Sequence, residues 1–199
     1  MKRDDILLVI ALPEESGGIF EKKGFDILYT GVGKVNAAYF LTKKLLELGA
    51  QKKTPKYVVN LGSCGSRRFE KGKVALCNRF IQRDMDATIF GNRPGETPSE
   101  KNIPLVLETE RISGFFEYAT CGSGDNFATK PCEMGEVDVT DMEGYALAKV
   151  CYFENIRFIS AKYVTDGLDK NGASDWNREV KGAGESLGEF FDNLAGVLP

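Results

Sequence analysis

The chain has 199 residues, 42% hydrophobic and 28% charged, which suits one globular domain with a buried core. A net charge of −3 without a basic stripe gives no basis for nucleic-acid binding, and no apolar run approaches the roughly 20 residues that cross a membrane. The absence of histidine excludes histidine-based triads and histidine-ligated metals, and it leaves aspartate and glutamate for acid–base chemistry.

The number and spacing of the cysteines indicate whether the protein folds in a reducing or an oxidising compartment. The five cysteines are spread along the chain without a Cys-x-x-Cys pair, which indicates reduced thiols and neither a disulfide framework nor a zinc site. The apolar run 6–11 is too short for a signal peptide. We therefore expect a cytoplasmic protein without a metal or another cofactor.

The same run, 6–11, is the first predicted strand, and its continuous apolar character is typical of a strand buried on both faces. Pro13 ends the strand and begins a short helix that carries Glu14 and Glu15. Two carboxylates at this place suit a helix start, and they equally suit an acid or base held at the end of a strand. The residues alone leave both interpretations open.

The second predicted strand, 25–29, runs into a glycine loop that contains Gly31, Val32 and Gly33, and a helix follows. The third glycine of the dinucleotide-binding fingerprint is missing at position 36, and the P-loop pattern is absent. The loop is a weak signal for nucleotide binding, and it fits a tight turn between a packed strand and helix equally well.

The middle of the chain continues with strands. Residues 57–61 form a strand that ends in a small-residue loop, 62–66, and residues 73–83 form the next. Residues 91–104 contain three prolines and predict a surface loop. Residues 112–121 predict a helix followed by a strand, or two strand pieces.

A second glycine loop follows at 122–127. Residues 139–151 then begin with acidic residues around Met142 and continue as a helix, and a strand over 157–164 ends in Thr165 and Asp166. A carboxylate at a helix start and another at a strand end is a layout typical of α/β active sites. A helix that carries one apolar face is predicted over 176–198.

Strands that alternate with helices, without a linker or a repeat, predict a single α/β domain over residues 1–199. Its three layers would be a mixed, mostly parallel central sheet with helices covering both faces. In an open sheet of this kind, the loops at the carboxyl ends of the strands share one edge and converge on one ligand.

Seven motifs carry a resemblance to a known family. In chain order they lie at 11–15, 31–38, 62–65, 83–88, 123–127, 141–144 and 165–166. Together they resemble the purine nucleoside phosphorylase and nucleosidase superfamily, in particular the methylthioadenosine/S-adenosylhomocysteine nucleosidases and the futalosine hydrolases.

The resemblance implies that the chain is a nucleosidase that hydrolyses the N-glycosidic bond of an adenine-type nucleoside, with Asp166 as general acid at purine N7 and Glu15 as base for water. Glu143 would accept hydrogen bonds from the ribose, with Met142 under the sugar and Phe127 stacked on the purine. Two carboxylates serve as acid and base when their surroundings separate their pKa values. The other substrate-binding residues implied are Val32, Ser63, Cys64, Gly65, Ala128, Asp141, Lys162, Thr165 and Trp176.

The chain departs from the family pattern in places. Only about fifteen residues separate Glu15 from the glycine loop, which predicts a shortened N-terminal half. Lys162 stands where the family commonly has arginine, and Thr165 replaces a common serine. Two alternatives stay open: a phosphate-dependent phosphorylase and a non-catalytic nucleoside-binding protein. The partners expected are a purine nucleoside and a second copy of the chain in a homodimer, with neither nucleic acid nor membrane.

Overall fold

The structure is a computed structural model that describes residues 3–114, 117–132, 134 and 137–197. Strands and helices alternate through this part of the chain around one mixed sheet. The strands are β1 Ile6–Ile10, β2 Ile27–Tyr29, β3 Tyr57–Ser66, β4 Val74–Gln82, β5 Leu107–Glu108, β6 Tyr118–Ser123, β7 Val139–Asp141 and β8 Arg157–Asp166. The helices are α1 Pro13–Ser16, α2 Ile19–Lys22, α3 Lys34–Ala50, α4 Gly144–Glu154 and α5 Gly172–Val197.

The sheet closes on itself. Strand β3 pairs with β1 along its first half and with β7 at its end, and β8 runs parallel to it on the other side. Strand β8 also pairs with β4, which joins β6 and through it β7, so the strands β3, β8, β4, β6 and β7 form a ring of neighbours. Five of the pairings are parallel and three are antiparallel, so the predicted mixed, mostly parallel sheet is confirmed.

Helices cover the two faces of the sheet. In β1, Leu7 and Val9 pack toward α3 and α4, whereas Leu8 and Ile10 pack with Phe20 and the apolar face of α5. Alternating side chains of one strand therefore enter two separate cores, as expected for a strand buried on both faces. The three-layer α/β prediction is confirmed.

Two segments differ from their prediction because glycine was interpreted as a loop signal. Residues 62–66 and 122–123 continue strands β3 and β6 and are fully paired in the sheet. An added methyl group at Gly62 would lie 3.3 Å from Glu15 Oε1, and one at Gly65 would lie 2.6 Å from Asp166 Oδ1. These glycines let both carboxylates approach the strand closely, which is the other common reason for glycine in a strand.

Most of the remaining predictions hold with shifted boundaries, but residues 112–114 form neither the predicted helix nor a first strand piece, and strands β5 and β7 were not predicted. Helix α5 begins at Gly172, four residues before its predicted start, and its predicted last residue, Leu198, lies outside the described residues. The segment 112–121 ends in β6, and residues 115–116 within it also lie outside the described part. Between Glu15 and the glycine loop the chain forms only α2 and the three-residue β2, which is the short N-terminal half. None of the described helices is long and apolar enough to span a membrane.

Candidate active site

The seven motifs meet at one cavity of about 370 Å³ beside the carboxyl ends of β1, β3, β7 and β8. All the predicted site residues line it except Lys162. The ring explains the convergence: β7 runs antiparallel to β3, and Thr140 pairs with Gly65, so the end of β7 crosses the end of β3. The expectation of an open sheet was wrong, although the loops still meet.

Glu15 is held by three hydrogen bonds at the end of β1. Its Oε1 accepts from the Ser63 amide and the Ser63 hydroxyl, both at 2.7 Å, and its Oε2 accepts from the Leu12 amide at 3.1 Å. The side chain is only 4% exposed. A carboxylate offers about four lone-pair positions, so one position remains, and it is on Oε2.

Asp166 lies at the end of β8 in a different environment. Burial raises the pKa of its carboxyl, and this effect outweighs the hydrogen bonds from the Leu168 amide and the Thr165 hydroxyl. A carboxyl with a raised pKa holds its proton to higher pH, which is the property of a general acid.

Glu143 immediately precedes helix α4 and reaches across to the glycine loop, where its Oε1 accepts the Gly33 amide proton at 2.8 Å. Burial and the neighbouring Asp141 raise the pKa of Glu143 to about 7. Its second oxygen accepts no protein hydrogen bond among the described residues, so it is free for a ligand hydroxyl.

Asp141 and Lys162 form a buried ion pair beneath the cavity, with 2.7 Å between Lys162 Nζ and Asp141 Oδ2. Burial opposes both charges. The Lys162 ammonium nevertheless holds the pKa of Asp141 below its usual value, and the Asp141 carboxylate holds the pKa of Lys162 above the usual value for lysine. Asp141 also accepts from the Ser123 hydroxyl at 2.5 Å and the Gly144 amide at 2.9 Å. Lys162 does not line the cavity, because its charge is turned to Asp141 below it.

Aromatic side chains form the mouth of the cavity. Phe127 is 44% exposed, and its ring packs close to Gly172 at the start of α5. Trp176, one turn into α5, donates its indole proton to the Ser63 hydroxyl at 2.9 Å. A flat, half-open apolar wall of this kind is suited to a stacked heterocycle.

Several lining residues were missed from the sequence. Ala173 lies three residues before Trp176 and four residues before Asn177 on helix α5, so helical spacing from Ala173 was the available signal. Arg83 and Asn126 lie inside two of the matched motifs and bind one another, with 2.9 Å between Arg83 Nη1 and Asn126 Oδ1. The missed set comprises Ala11, Leu12, Arg83, Asn126, Thr140, Leu168, Ala173 and Asn177.

A larger cavity of about 710 Å³ involves the other end of α4 and residues 107–113. Both carboxylates that line it are in ion pairs: Glu110 with Arg157, which also lines the cavity, and Glu108 with Arg79 of β4. Across the described ranges, no group of three or more Cys, Asp or Glu side chains is arranged to hold a metal ion. The smaller cavity is therefore distinguished by buried carboxyl groups with shifted pKa values.

Comparisons with known proteins agree with the motifs. Residues 26–196 match the sequence model of the phosphorylase superfamily. The 5'-methylthioadenosine/S-adenosylhomocysteine nucleosidase of Lysinibacillus sphaericus is 30% identical over 188 residues, covering 83% of this chain and 79% of the relative. The chain belongs to the phosphorylase superfamily, as the resemblance predicted.

Solved structures support the same fold. The nucleosidase of that name from Helicobacter pylori superposes with a TM-score of 0.83 at 18% identity, covering 97% of this chain and 98% of the other. Futalosine hydrolase from the same organism gives a TM-score of 0.84 at 17% identity, covering 97% of each chain. The shortened N-terminal half therefore leaves the fold intact.

Proposed function

We propose that the protein is a purine nucleosidase, an N-glycosyl hydrolase that splits an adenine-type nucleoside into free base and sugar. The observation that carries the proposal is a pair of carboxylates that line one cavity and are bound by different partners. Asp166 has a raised pKa, and Glu15 keeps one open lone pair on Oε2. Separated roles for two carboxylates are what an acid–base hydrolysis needs.

Asp166 protonates the leaving purine in this mechanism. Thr165 Oγ1 lies 3.1 Å from the Cys64 carbonyl and 3.0 Å from Asp166 Oδ2, yet a hydroxyl has only one proton. While Asp166 is protonated, Thr165 turns its proton to the Cys64 carbonyl, and Asp166 keeps its own proton to give to the purine. After the proton leaves, Thr165 turns its own proton to the new carboxylate.

Glu15 and Glu143 act on the sugar side. Glu15 Oε2 takes a proton from the water that attacks C1 of the ribose. The free oxygen of Glu143 accepts hydrogen bonds from the ribose hydroxyls, and Met142, which also lines the cavity, packs under the sugar. Phe127 stacks on the purine, with the Ala128 backbone beside its edge.

The phosphorylase alternative meets an electrostatic obstacle. A phosphate site needs backbone amides and cations, but the Gly33 and Lys34 amides at the start of α3 already bind Glu143 and Asp125. The Lys34 ammonium is bound to Asp84 at 2.5 Å, and that of Lys162 to Asp141 at 2.7 Å. A phosphate beside Glu15 would place two anions together in a partly dry cavity.

The substrate follows from the relatives' names and the cavity. We propose methylthioadenosine, S-adenosylhomocysteine or futalosine, all of which join a purine to a ribose with a substituent at the 5′ carbon. Retention of Asp166, Glu15 and Glu143 in one cavity argues against a non-catalytic binding protein.

Product analysis tests the proposal. Purified protein is incubated with each nucleoside in buffers with and without phosphate, and base and sugar are separated by liquid chromatography with mass detection. We expect equal rates in both buffers and free sugar as the product. Sugar 1-phosphate that accumulates only with phosphate would make the protein a phosphorylase, and binding without any product would make it a binding protein.

We also propose that residues 1–199 form one domain that assembles as a cytoplasmic homodimer. Helix α3 presents Val35, Tyr39 and Leu46 along one exposed stripe. Ile89 and Phe90, which follow the motif at 83–88, each have more than 80% of their surface exposed. Apolar surface of this extent is typical of an interface. Light scattering after gel filtration should give twice the monomer mass, and Tyr39→Glu should return the protein to a monomer.

A further inference from the structure

The Ser63 hydroxyl lies between Trp176 and Glu15. Trp176 Nε1 is 2.9 Å from Ser63 Oγ, and Ser63 Oγ is 2.7 Å from Glu15 Oε1. These two contacts make a continuous chain from helix α5, through strand β3, to the carboxylate at the end of β1. The chain runs along the wall of the cavity, which all three residues line.

The direction of every proton in this chain is fixed. An indole N–H only donates, so the Ser63 oxygen must accept from Trp176. A hydroxyl that accepts on one side has its single proton left for the other side, where the Glu15 carboxylate is the acceptor. Trp176 therefore occupies one of the two lone pairs of Ser63 Oγ, and the hydroxyl proton is directed to Glu15 Oε1, the one acceptor that Ser63 Oγ has among the described residues.

The fixed hydroxyl determines which oxygen of Glu15 is reactive. Oε1 accepts two hydrogen bonds from Ser63 and is filled, whereas Oε2 accepts one, from the Leu12 amide. We propose that Trp176 is a positioning residue, whose indole proton orients Ser63 so that Glu15 Oε2 is the one oxygen that accepts the proton of water. This inference rests on the proposed role of Glu15 in hydrolysis.

The first turn of α5 is anchored well enough to hold such a contact. Asp175, next to Trp176, is 6% exposed and binds both Lys71 from the β3–β4 connection and Arg178 from its own helix. Two cations from different elements thus fix the backbone beside the indole. Phenylalanine at 176 would keep an aromatic wall but would lack the proton that orients Ser63.

The first test observes the hydrogen bond directly. The chain has one tryptophan, so a protein labelled with ¹⁵N gives a single indole N–H resonance. We expect Ser63→Ala to move this proton resonance upfield, because its acceptor is lost. Ser186→Ala, a hydroxyl deletion further along α5, is the control and should leave it in place. An unchanged resonance in Ser63→Ala would overturn the proposal.

The second test separates positioning from wall packing. Trp176→Phe should lower kcat about tenfold, the loss expected for one hydrogen bond to a charged network, while KM stays within about twofold. Trp176→Ala removes the wall as well and should also raise KM. A Trp176→Phe enzyme with unchanged kcat, or with a changed KM alone, would contradict a positioning role.

A double substitution completes the argument. If the indole acts only through Ser63, Trp176→Phe should cause no further loss of kcat when Ser63 is already alanine. Fully additive losses would mean that Trp176 acts on the substrate directly. A wild-type protein without nucleosidase activity would refute the proposed function, and the indole resonance would still decide whether Trp176 orients Ser63.

Discussion

At the scale of single residues, the carboxylates around the cavity differ in pKa because each one has different neighbours. Despite burial, Lys162 holds the pKa of Asp141 below its usual value, whereas burial raises the pKa of Asp166 and raises that of Glu143 to about 7. In the proposed mechanism, the same type of side chain therefore has three roles: Asp141 is a structural anion, Asp166 is the general acid and Glu143 is the ribose acceptor. Because each role depends on the charge of a carboxyl group and not on its shape, each can be tested by replacing the acid with its amide.

Replacing Asp166 with asparagine should lower kcat by about 10² to 10⁴, since the shape is kept and the transferable proton is lost. Adenine binding, followed by calorimetry, should stay within about tenfold. In the wild type, kcat should fall as pH rises through the raised pKa of Asp166, and this decline should vanish in the variant. Near-normal turnover of Asp166→Asn would remove Asp166 from the role of acid.

Replacing Glu143 with glutamine should weaken nucleoside binding far more than adenine binding, because only the nucleoside carries ribose hydroxyls. The pKa of about 7 also predicts the direction of the pH dependence. Glu143 is ionised above that pH and is then the stronger hydrogen-bond acceptor. Nucleoside affinity should therefore rise between pH 6 and pH 8 in the wild type and stay flat in the variant. Equal losses for adenine and nucleoside in calorimetry would assign Glu143 to folding.

At the scale of elements, the site depends on how closely α5 approaches α1. Gly184 of α5 faces the carbonyl of Ser16, and a methyl group there would lie 2.3 Å from that oxygen. The obstacle is backbone, so a side chain cannot turn aside to make room. Since Glu15 precedes Ser16 in α1, the glycine permits the position of the proposed base.

Gly184→Ala should destabilise the protein and lower kcat together, because α1 must move away from α5. The same helix offers a matched control, Gly196→Ala, where the added methyl group meets nothing within 4 Å. There the substitution should stabilise by up to about 1 kcal/mol through helix propensity. Urea unfolding and initial rates measure both effects, and equal behaviour of the two variants would refute the close-contact argument.

Much of this arrangement was visible in the sequence, and the exceptions have physical causes. Apolar runs and the motifs located all the described strands except the short β5 and β7, together with most of the lining residues, because each signal depends on neighbours in the chain. Strand β3 was predicted too short, since Gly62 and Gly65 indicate close approach as well as loops. The Lys162–Asp141 pair and the Trp176–Ser63 contact join residues 21 and 113 positions apart, and no local pattern reports such a contact.

At the scale of the whole molecule, the site costs stability. Glu143 is 8% exposed, and its carboxyl has a higher pKa in the folded chain than the ordinary value of 4.5. Between these two pH values the folded chain binds one more proton than the unfolded chain does. Stability from this group is then fully present below pH 4.5 and is lost as pH rises to about 7.

The expected loss is roughly 3 kcal/mol of unfolding free energy, because the pKa rises from 4.5 to about 7 and each pH unit between these values contributes about 1.36 kcal/mol. Glu143→Gln cannot ionise, so its stability relative to the wild type should grow by that amount between pH 4.5 and 7.5 and then level off. Urea unfolding of both proteins at several pH values measures this difference, in which the titration of all other groups largely cancels. If the difference stays constant across this range, Glu143 does not carry the pH dependence, and burial of its carboxyl imposes no such cost on the fold.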